Sequence, residues 1–509
     1  MDATIISGDR VQTHSQTNAN AALAADGFSR LGVGEDQVVA ILMRNDFAFF
    51  EAALAAGMVG AYATPINWHA TADEVSYILS DSGAKVLVVH SDLLDGLGAD
   101  FAPTIPVLVA PQPPEIAQAY SAPTTKTRVK ALSWPDFLAA SRPFADPQRA
   151  SRGAMIYTSG TTGRPKGVRR LPADEDTAGK MRSLIIIGYG FSPDRPMTAL
   201  MNGPMYHTAP NTYAMTAFAL GANLVLQPRF RADEMLALIE RHRITHMHIV
   251  PTMFHRLLSL PEEVRRRHDL SSLRFVVHGA APCPPGAKRA MIEWWGPVIN
   301  EYYGATETGL ATCLNSEQAL ARPGSVGRAV PGCEVIVVGP DGARLPPGEV
   351  GEIYVRPDSM PGFTYHGAPE KRAEIENEGF VTVGDVGYLD QEGFLYLSDR
   401  KRDMIISGGV NIYPAEIEAA ILGIAGVRDC AVFGAPDEEF GEKVVAHIET
   451  EPFAGLNAAD ITAHLSVSLA RFKVPRVIEF AESLPREDSG KIFKRKLREP
   501  YWRDAGRSI

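Results

Sequence analysis

The sequence is short of several features, and each shortage removes a class of protein. It holds four cysteines in 509 residues (Cys283, Cys313, Cys333 and Cys430), far apart and without CxxC spacing. That pattern suggests neither a zinc site nor a disulfide framework, so reduced thiols and a cytoplasmic setting are expected. Positive charge is not in excess: the formal net charge is −10 and no basic stripe occurs. Binding to nucleic acid or to an anionic membrane surface is therefore not expected, and a polyanionic ligand must be met by local donors. No apolar run reaches transmembrane length. The longest candidate, AFFEAALAAGMVGAYA over residues 48–63, is broken by Glu51 and by glycines, and reads as a buried helix leading into a strand. The opening MDATIISGDRVQTH has no apolar core of signal-peptide length. No GxxxxGK followed by Ser or Thr occurs, which excludes a P-loop kinase or ATPase.

What is present is ordinary for a globular enzyme: 45% hydrophobic and 22% charged residues, in a length that suits two to four domains. Strand and helix signals alternate early, with strands expected at 38–43, 61–65 and 84–89 and helices at 46–57 and 72–81. The rhythm returns with helices at 232–241, 251–260 and 284–295 and strands at 246–250 and 275–278. Two such stretches predict two α/β sheet layers within one large N-terminal domain. From Gly324 the texture changes to short alternating strands joined by PDG, PPGE and QEG turns, which predicts a small antiparallel, β-barrel-like subdomain. After Asp399 an α+β pattern follows, with helices at 415–421 and 461–469 and strands at 427–433 and 444–449. The charged cluster SDRKRD separates the two textures, giving an N-terminal domain 1–399, a hinge 400–402 and a C-terminal domain 403–509. Residues 110–126, rich in Pro, Ala and Thr, read as a surface loop.

The most informative segment runs from Tyr157 to Val168, YTSGTTGRPKGV. Gly160 and Gly163 let backbone approach a ligand closely, Thr158, Ser159, Thr161 and Thr162 supply hydroxyls, and Lys166 supplies a cation. Backbone N–H groups and hydroxyls in such a loop can surround a polyphosphate. The same composition elsewhere would be a flexible linker; here the apolar approach Met155-Ile156 and the lysine within the turn favour phosphate. In Tyr303-Gly-Ala-Thr-Glu-Thr-Gly309 an aromatic ring can stack on a base, Thr306 offers a hydroxyl to a phosphate, and Glu307 is a hard oxygen ligand suited to Mg²⁺. Asp385, in Gly384-Asp-Val-Gly387, can accept both hydroxyls of a ribose, and Arg400 adds a fork of donors. His278-Gly-Ala-Ala-Pro282 follows a strand, and Gly279, Ala280 and Ala281 would leave a flat wall for a base.

Taken in order, these segments resemble the adenylate-forming superfamily of acyl- and aryl-CoA synthetases, peptide-synthetase adenylation domains and beetle luciferases. The matches include Ser407-Gly-Gly-Val-Asn-Ile-Tyr-Pro-Ala-Glu-Ile-Glu418 and Ser489-Gly-Lys491, and they span nearly the whole chain. The resemblance implies ATP, Mg²⁺ and coenzyme A as cofactor and co-substrates, and a mobile C-terminal lid. It implies that Glu301, Tyr302, Tyr303 and Gly304 belong to the nucleotide site, and that Thr158 joins Glu307 at the metal. It also implies that Lys491 and Thr306 are catalytic, that Arg402 is the hinge residue, and that Gly408 and Gly409 line the pantetheine tunnel. Two departures stand out: arginine at the hinge, where Asp or Lys is usual, and Glu487-Asp488 before the lysine loop.

The acyl pocket is expected to involve the segment Met205-Tyr-His-Thr-Ala-Pro-Asn211, with His207 in it, and Tyr213, Met215, Met253, Phe254, the stretch from His278 to Ala281, and Gly304. His207 matches the histidine that gates the acyl tunnel of fatty acyl-CoA synthetases, although Ala209-Pro210 replaces the glycine that follows it there. The absence of an acidic residue in 205–215 argues against amino acids. An acid-CoA ligase for a medium or long fatty acid, or a bulky alicyclic or aryl-alkanoic acid, is the expected function, with a homodimer as one expected assembly. The alternatives are an aryl acid or carrier-protein ligase, and a non-catalytic nucleotide binder.

Overall fold

A computed structural model describes residues 2–122, 131–146, 149–158, 165–400, 403–407, 410–437, 439–486 and 492–503, with backbone only at 399, 400 and 411. The early strand runs are apolar along their whole length because both faces of their sheet are covered. Strands Tyr62–Pro65, Val38–Leu42, Val86–His90, Val107–Ala110 and Leu132–Ser133 form one parallel sheet in that order. Alternation then divides each strand between two cores: Val39 and Ile41 enter one cluster, Val38, Ala40 and Leu42 another.

A second parallel array runs Ile299–Ala305, Phe275–His278, His246–Ile249, Thr198–Met201, Asn223–Leu226 and Thr4–Ser7. Its inner face shares the Val39/Ile41 cluster with the first sheet, and helices His14–Arg30, Phe47–Met58 and Thr208–Ala219 fill the layer between them. That placement explains why Phe47–Met58 is apolar on nearly every side. Its one charge, Glu51, is buried but accepts from Trp134 Nε1 at 2.7 Å, Asn20 Nδ2 at 2.7 Å and Gln12 Nε2 at 3.0 Å. On the outer face, helices Ala232–His242, Pro251–Leu258 and Pro285–Trp295 cover a separate cluster.

The expected short strands after Gly324 continue this array edge to edge. Gly309–Leu314, Ser325–Ala329, Phe394–Arg400, Phe380–Leu389, Gly351–Arg356 and Glu334–Val338 pair antiparallel in turn and curl around their own core of Tyr303, Ala311, Val335, Ile353 and Leu395. Beyond them, strands Ile405–Ser407, Val427–Asp437, Gly441–Thr450 and Val477–Ala481 with helices Pro414–Leu422 and Ala458–Ser468 enclose a self-contained core.

One expectation fails. Residues 114–120, read as part of a loop, form helix Pro114–Tyr120. Proline at the first helical position is pre-set for a helix and loses no hydrogen bond there, and Glu115 is held by Arg10 Nε at 2.8 Å and Ser7 Oγ at 2.7 Å. Composition alone misled the reading. No helix among the described residues is long and apolar enough to cross a membrane.

Candidate active site

The carboxyl ends of the second parallel array meet a small antiparallel sheet of Ile156–Thr158, Lys166–Arg170 and Phe363–Tyr365. A cavity of about 2050 Å³ opens between them. Register sets Thr158 opposite Lys166, and both line the cavity. Tyr157 donates to Asp81 Oδ2 at 2.6 Å and Tyr77 to the Pro165 carbonyl at 3.1 Å, which ties both ends of the intervening loop to helix Ala72–Ser82.

The turn that carries Thr306 and Glu307 is fixed from three sides. Strand Ile299–Ala305 turns back into Gly309–Leu314 with a register shift between Tyr303 and Gly304. A Cβ at Gly304 would come within 2.1 Å of the Gly309 carbonyl oxygen, so only glycine permits this approach. Arg170 lies half-buried against the turn, its Nη2 donating to the Thr306 carbonyl at 2.6 Å and its Nη1 to the Pro361 carbonyl at 3.1 Å. Desolvation pulls the guanidinium down to about 10, opposed by the nearby Glu307 carboxylate. Tyr365 donates to Glu307 Oε1 at 3.0 Å, and Lys166 Nζ stands 5.3 Å from the centre of the Tyr365 ring. The Thr306 hydroxyl is 2.6 Å from that of Thr208, the first residue of the helix that His207 precedes. Thr158, Lys166, His207, Thr306 and Glu307 thus share the cavity mouth.

Alternation along Ile299–Ala305 sends its side chains to opposite places. Tyr303 joins the antiparallel core and donates to the buried Asp385 Oδ2 at 2.8 Å, while the Asp385 backbone registers with Arg400. Glu301 points to helix Pro285–Trp295 and forms a buried ion pair with Lys288; desolvation raises its carboxyl, and Lys288 opposes the rise. Tyr302 faces the cavity, with its hydroxyl 3.1 Å from His248 Nε2. A Cβ at Gly279 would fall 2.6 Å from the Tyr302 ring, so the space that glycine leaves holds that ring. The next residue, Ala280, adopts φ 66, a conformation that costs a non-glycine residue roughly 1–3 kcal/mol and clusters at functional sites.

Of the expected site residues, Thr158, Lys166, His207, Met253, Ala280, Ala281, Tyr302, Gly304, Thr306 and Glu307 line the cavity. Gly279, Glu301, Tyr303 and Asp385 do not form its wall. Nor does His278, which is fully buried with its ring 5.0 Å from that of Phe254. Tyr213 is fully buried behind the wall, 5.2 Å from the Tyr189 ring. Ser159, Gly160, Thr161, Thr162, Gly163, Arg402, Gly408, Gly409 and Lys491 lie outside the described residues, as does the Arg400 side chain. Sequence reasoning missed Arg170, Tyr365, His248 and Lys288, and it placed Thr208 in the acyl-pocket segment without its bond to Thr306. Each reaches its partner through strand register or packing that no local motif announces.

Part of the cavity lining is apolar. Helices Glu175–Gly188 and Thr208–Ala219 turn Met181, Ile185, Ala209, Met215 and Ala219 towards the cavity, and none of their lining residues is a carboxylate. Hydroxyls, a lysine and a tethered carboxylate thus share one cavity with a group of apolar side chains. Such a site suits an anionic, phosphate-bearing ligand beside an apolar one.

Comparison with known proteins gives that arrangement its class. The AMP-binding enzyme family model matches residues 1–362, and the AMP-binding enzyme C-terminal domain model matches 416–491. The chain belongs to the AMP-binding enzyme family, the adenylate-forming enzymes, and stands among its acid–CoA ligases. It is 35% identical over 498 residues to the long-chain-fatty-acid–CoA ligase FadD13 of Mycobacterium tuberculosis, covering 97% of this chain and 94% of that one. It is 31% identical to the indoleacetate–CoA ligase of Aromatoleum aromaticum, covering 96% and 93%. The ATP-bound crystal structure of MatB from Rhodopseudomonas palustris superposes with a TM-score of 0.82 at 28% identity, covering 99% of this chain and 97% of that one.

Proposed function

We propose that this chain joins a large apolar carboxylic acid to coenzyme A through an acyl-adenylate, consuming ATP and releasing AMP and pyrophosphate. The observation that carries this reading is that Thr158, Lys166, Thr306 and Glu307 line the same cavity, of about 2050 Å³ in all, as the apolar side chains of Met181, Ile185, Met215 and Met253. Those apolar side chains suit a medium or long fatty acid, or a bulky alicyclic or aryl-alkanoic acid.

In the first step the carboxylate displaces pyrophosphate from the α-phosphate of ATP, a reaction helped mainly by positioning and charge stabilisation. Lys166 and the hydroxyls of 158–162 receive the phosphates, and the Thr306 hydroxyl, set by Thr208, meets the α-phosphate. Lys491 supplies the cation where two anions must approach. Mg²⁺ fits the donors present: the Thr158 hydroxyl and the Glu307 carboxylate are hard oxygens beside the phosphate loop. Held there, the ion would offset phosphate charge. In the second step the thiol of coenzyme A attacks the mixed anhydride and AMP leaves. The division 1–399, 400–402 and 403–509 allows the small domain to turn about Arg402, withdrawing Lys491 and bringing Gly408 and Gly409 to the pantetheine.

The test is pyrophosphate release across fatty acids, benzoates, phenylalkanoates, alicyclic acids and amino acids. Release that depends on an apolar acid supports the reading. Release with amino acids alone contradicts it.

A further inference from the structure

The cavity wall carries a polar pair that the reaction above does not use. His248, on strand His246–Ile249, and Tyr302, on Ile299–Ala305, both line the cavity, and they are only 3% and 9% exposed. The Tyr302 hydroxyl lies 3.1 Å from His248 Nε2. The Tyr189 ring, which also lines the cavity, sits 6.3 Å from the imidazole, and the Tyr213 ring packs 6.1 Å from it behind the wall; the Tyr189 hydroxyl is committed to the Ala209 carbonyl at 3.2 Å. Among the described residues nothing bonds to His248 Nδ1.

We propose that His248 and Tyr302 form a polar subsite within the acyl cavity, selecting acids that carry a hydroxyl or carbonyl oxygen on an otherwise apolar body. The inference rests on the acid-ligase reading above and narrows its substrate class. Gly304, at the mouth, is two residues from Tyr302, so the subsite lies roughly 7 Å further along the strand. The oxygen is therefore remote from the carboxylate that reacts.

The pair can meet either kind of oxygen. If the Tyr302 hydroxyl donates to Nε2, Nδ1 carries the proton and donates to a carbonyl. If Nε2 carries it, Nδ1 accepts from a hydroxyl and Tyr302 keeps a donor free. Burial lowers the His248 pKa to about 4, so the imidazole is neutral at physiological pH and a second carboxylate gains no charge partner there. A plain hydrocarbon seated against the pair would leave buried polar atoms without partners, which costs roughly 1–3 kcal/mol. Sites built for a substrate hydrogen bond reject analogues that lack the group for this reason.

The experiment uses matched acids of one carbon skeleton, with and without an oxygen: cyclohexylalkanoates against their oxo and hydroxy forms, and phenylalkanoates against their 4-hydroxy forms. Two quantities are read for each pair: kcat/KM for coenzyme A-dependent AMP formation, and calorimetric affinity for the free enzyme. The wild type is expected to favour the oxygenated partner by roughly 10- to 100-fold in at least one series, mostly through KM. Tyr302→Phe, which keeps the ring against Gly279, and His248→Phe should each cut that preference at least fivefold, while His248→Gln retains part of it. If His248→Phe does not fold, Tyr302→Phe decides alone. Equal handling of the matched acids by the wild type, or a preference that survives both phenylalanine variants, overturns the subsite. The ligase reading fails separately: oxygenated acids that bind preferentially but never yield AMP would contradict that reading and leave the subsite standing.

Discussion

Two buried histidines one register step apart show how little separates a cavity wall from an interior. Ile249 pairs with His278 on the neighbouring strand, so His248 and His278 point to opposite faces of one sheet. His248 reaches the cavity and is partnered by Tyr302. His278 faces the helix side, 3.8 Å from Glu301, with neither ring nitrogen hydrogen-bonded among the described residues. Both imidazoles are held neutral, chiefly by desolvation. Depth is therefore the same, and parity along the strand decides which one can touch a ligand.

The helix-side face should be the more fragile in stability. Lys288→Met strands Glu301 as an unpaired buried charge, at a cost of about 3–5 kcal/mol. The double variant Lys288→Met/Glu301→Leu should recover most of that loss, as read by urea denaturation. Equal losses in single and double variants would show that packing, not charge, matters there.

The cavity-side face should be fragile in activity instead. Arg170→Met removes the donors that fix the Thr306–Glu307 turn, and kcat should fall on the order of 10²-fold, as a misplacement near 1 Å does. Arg170→Lys should not restore it, since a point charge cannot serve two carbonyls as a planar fork does. Full rescue by lysine would mean that charge alone sets the turn.

Acid pH compares the two histidines directly. Burial lowers the His248 imidazole to about 4 and holds that of His278 well below the ordinary 6.5. The unfolded chain therefore takes up protons below pH 6.5 that the folded chain refuses. Stability should be whole above that pH and decline as pH falls towards 4, by up to about 1.4 kcal/mol per pH unit for each histidine. His278→Phe should flatten the decline without changing substrate preference, whereas His248→Phe should flatten it and change preference. Chemical denaturation at pH 7.5 and 5 measures the difference. The smallest effect belongs to Thr208→Val, which frees the Thr306 hydroxyl and should lower kcat a few-fold while leaving KM for ATP nearly unchanged.

Much of this was legible in the sequence because chemistry that needs backbone contact leaves local traces. The loop at 157–168, the turn at 303–309 and the alternation of strands and helices are all contiguous signals, and they led to the family and to most of the mouth. The sequence also pointed to His278 as an acyl-pocket residue and passed over His248. In HMHI and FVVH nothing local says which face looks into a cavity; that is set by helices packed from elsewhere in the chain. Arg170 and Tyr365, and the contact that Thr208 makes, were illegible for a related reason. Their partners at Thr306 and Glu307 lie 136, 98 and 58 residues away, and only the pairing of Phe363–Tyr365 with Lys166–Arg170 brings two of them beside the turn.

The most direct test of the central claim is mass spectrometry of single turnovers with ATP, an apolar acid and the full chain, with and without coenzyme A. Without coenzyme A, an enzyme-bound acyl-adenylate should accumulate together with one equivalent of pyrophosphate. Adding coenzyme A should convert it to acyl-CoA and free AMP. Acyl-CoA formed with ADP and phosphate, or an adenylate that coenzyme A does not discharge, would contradict the account.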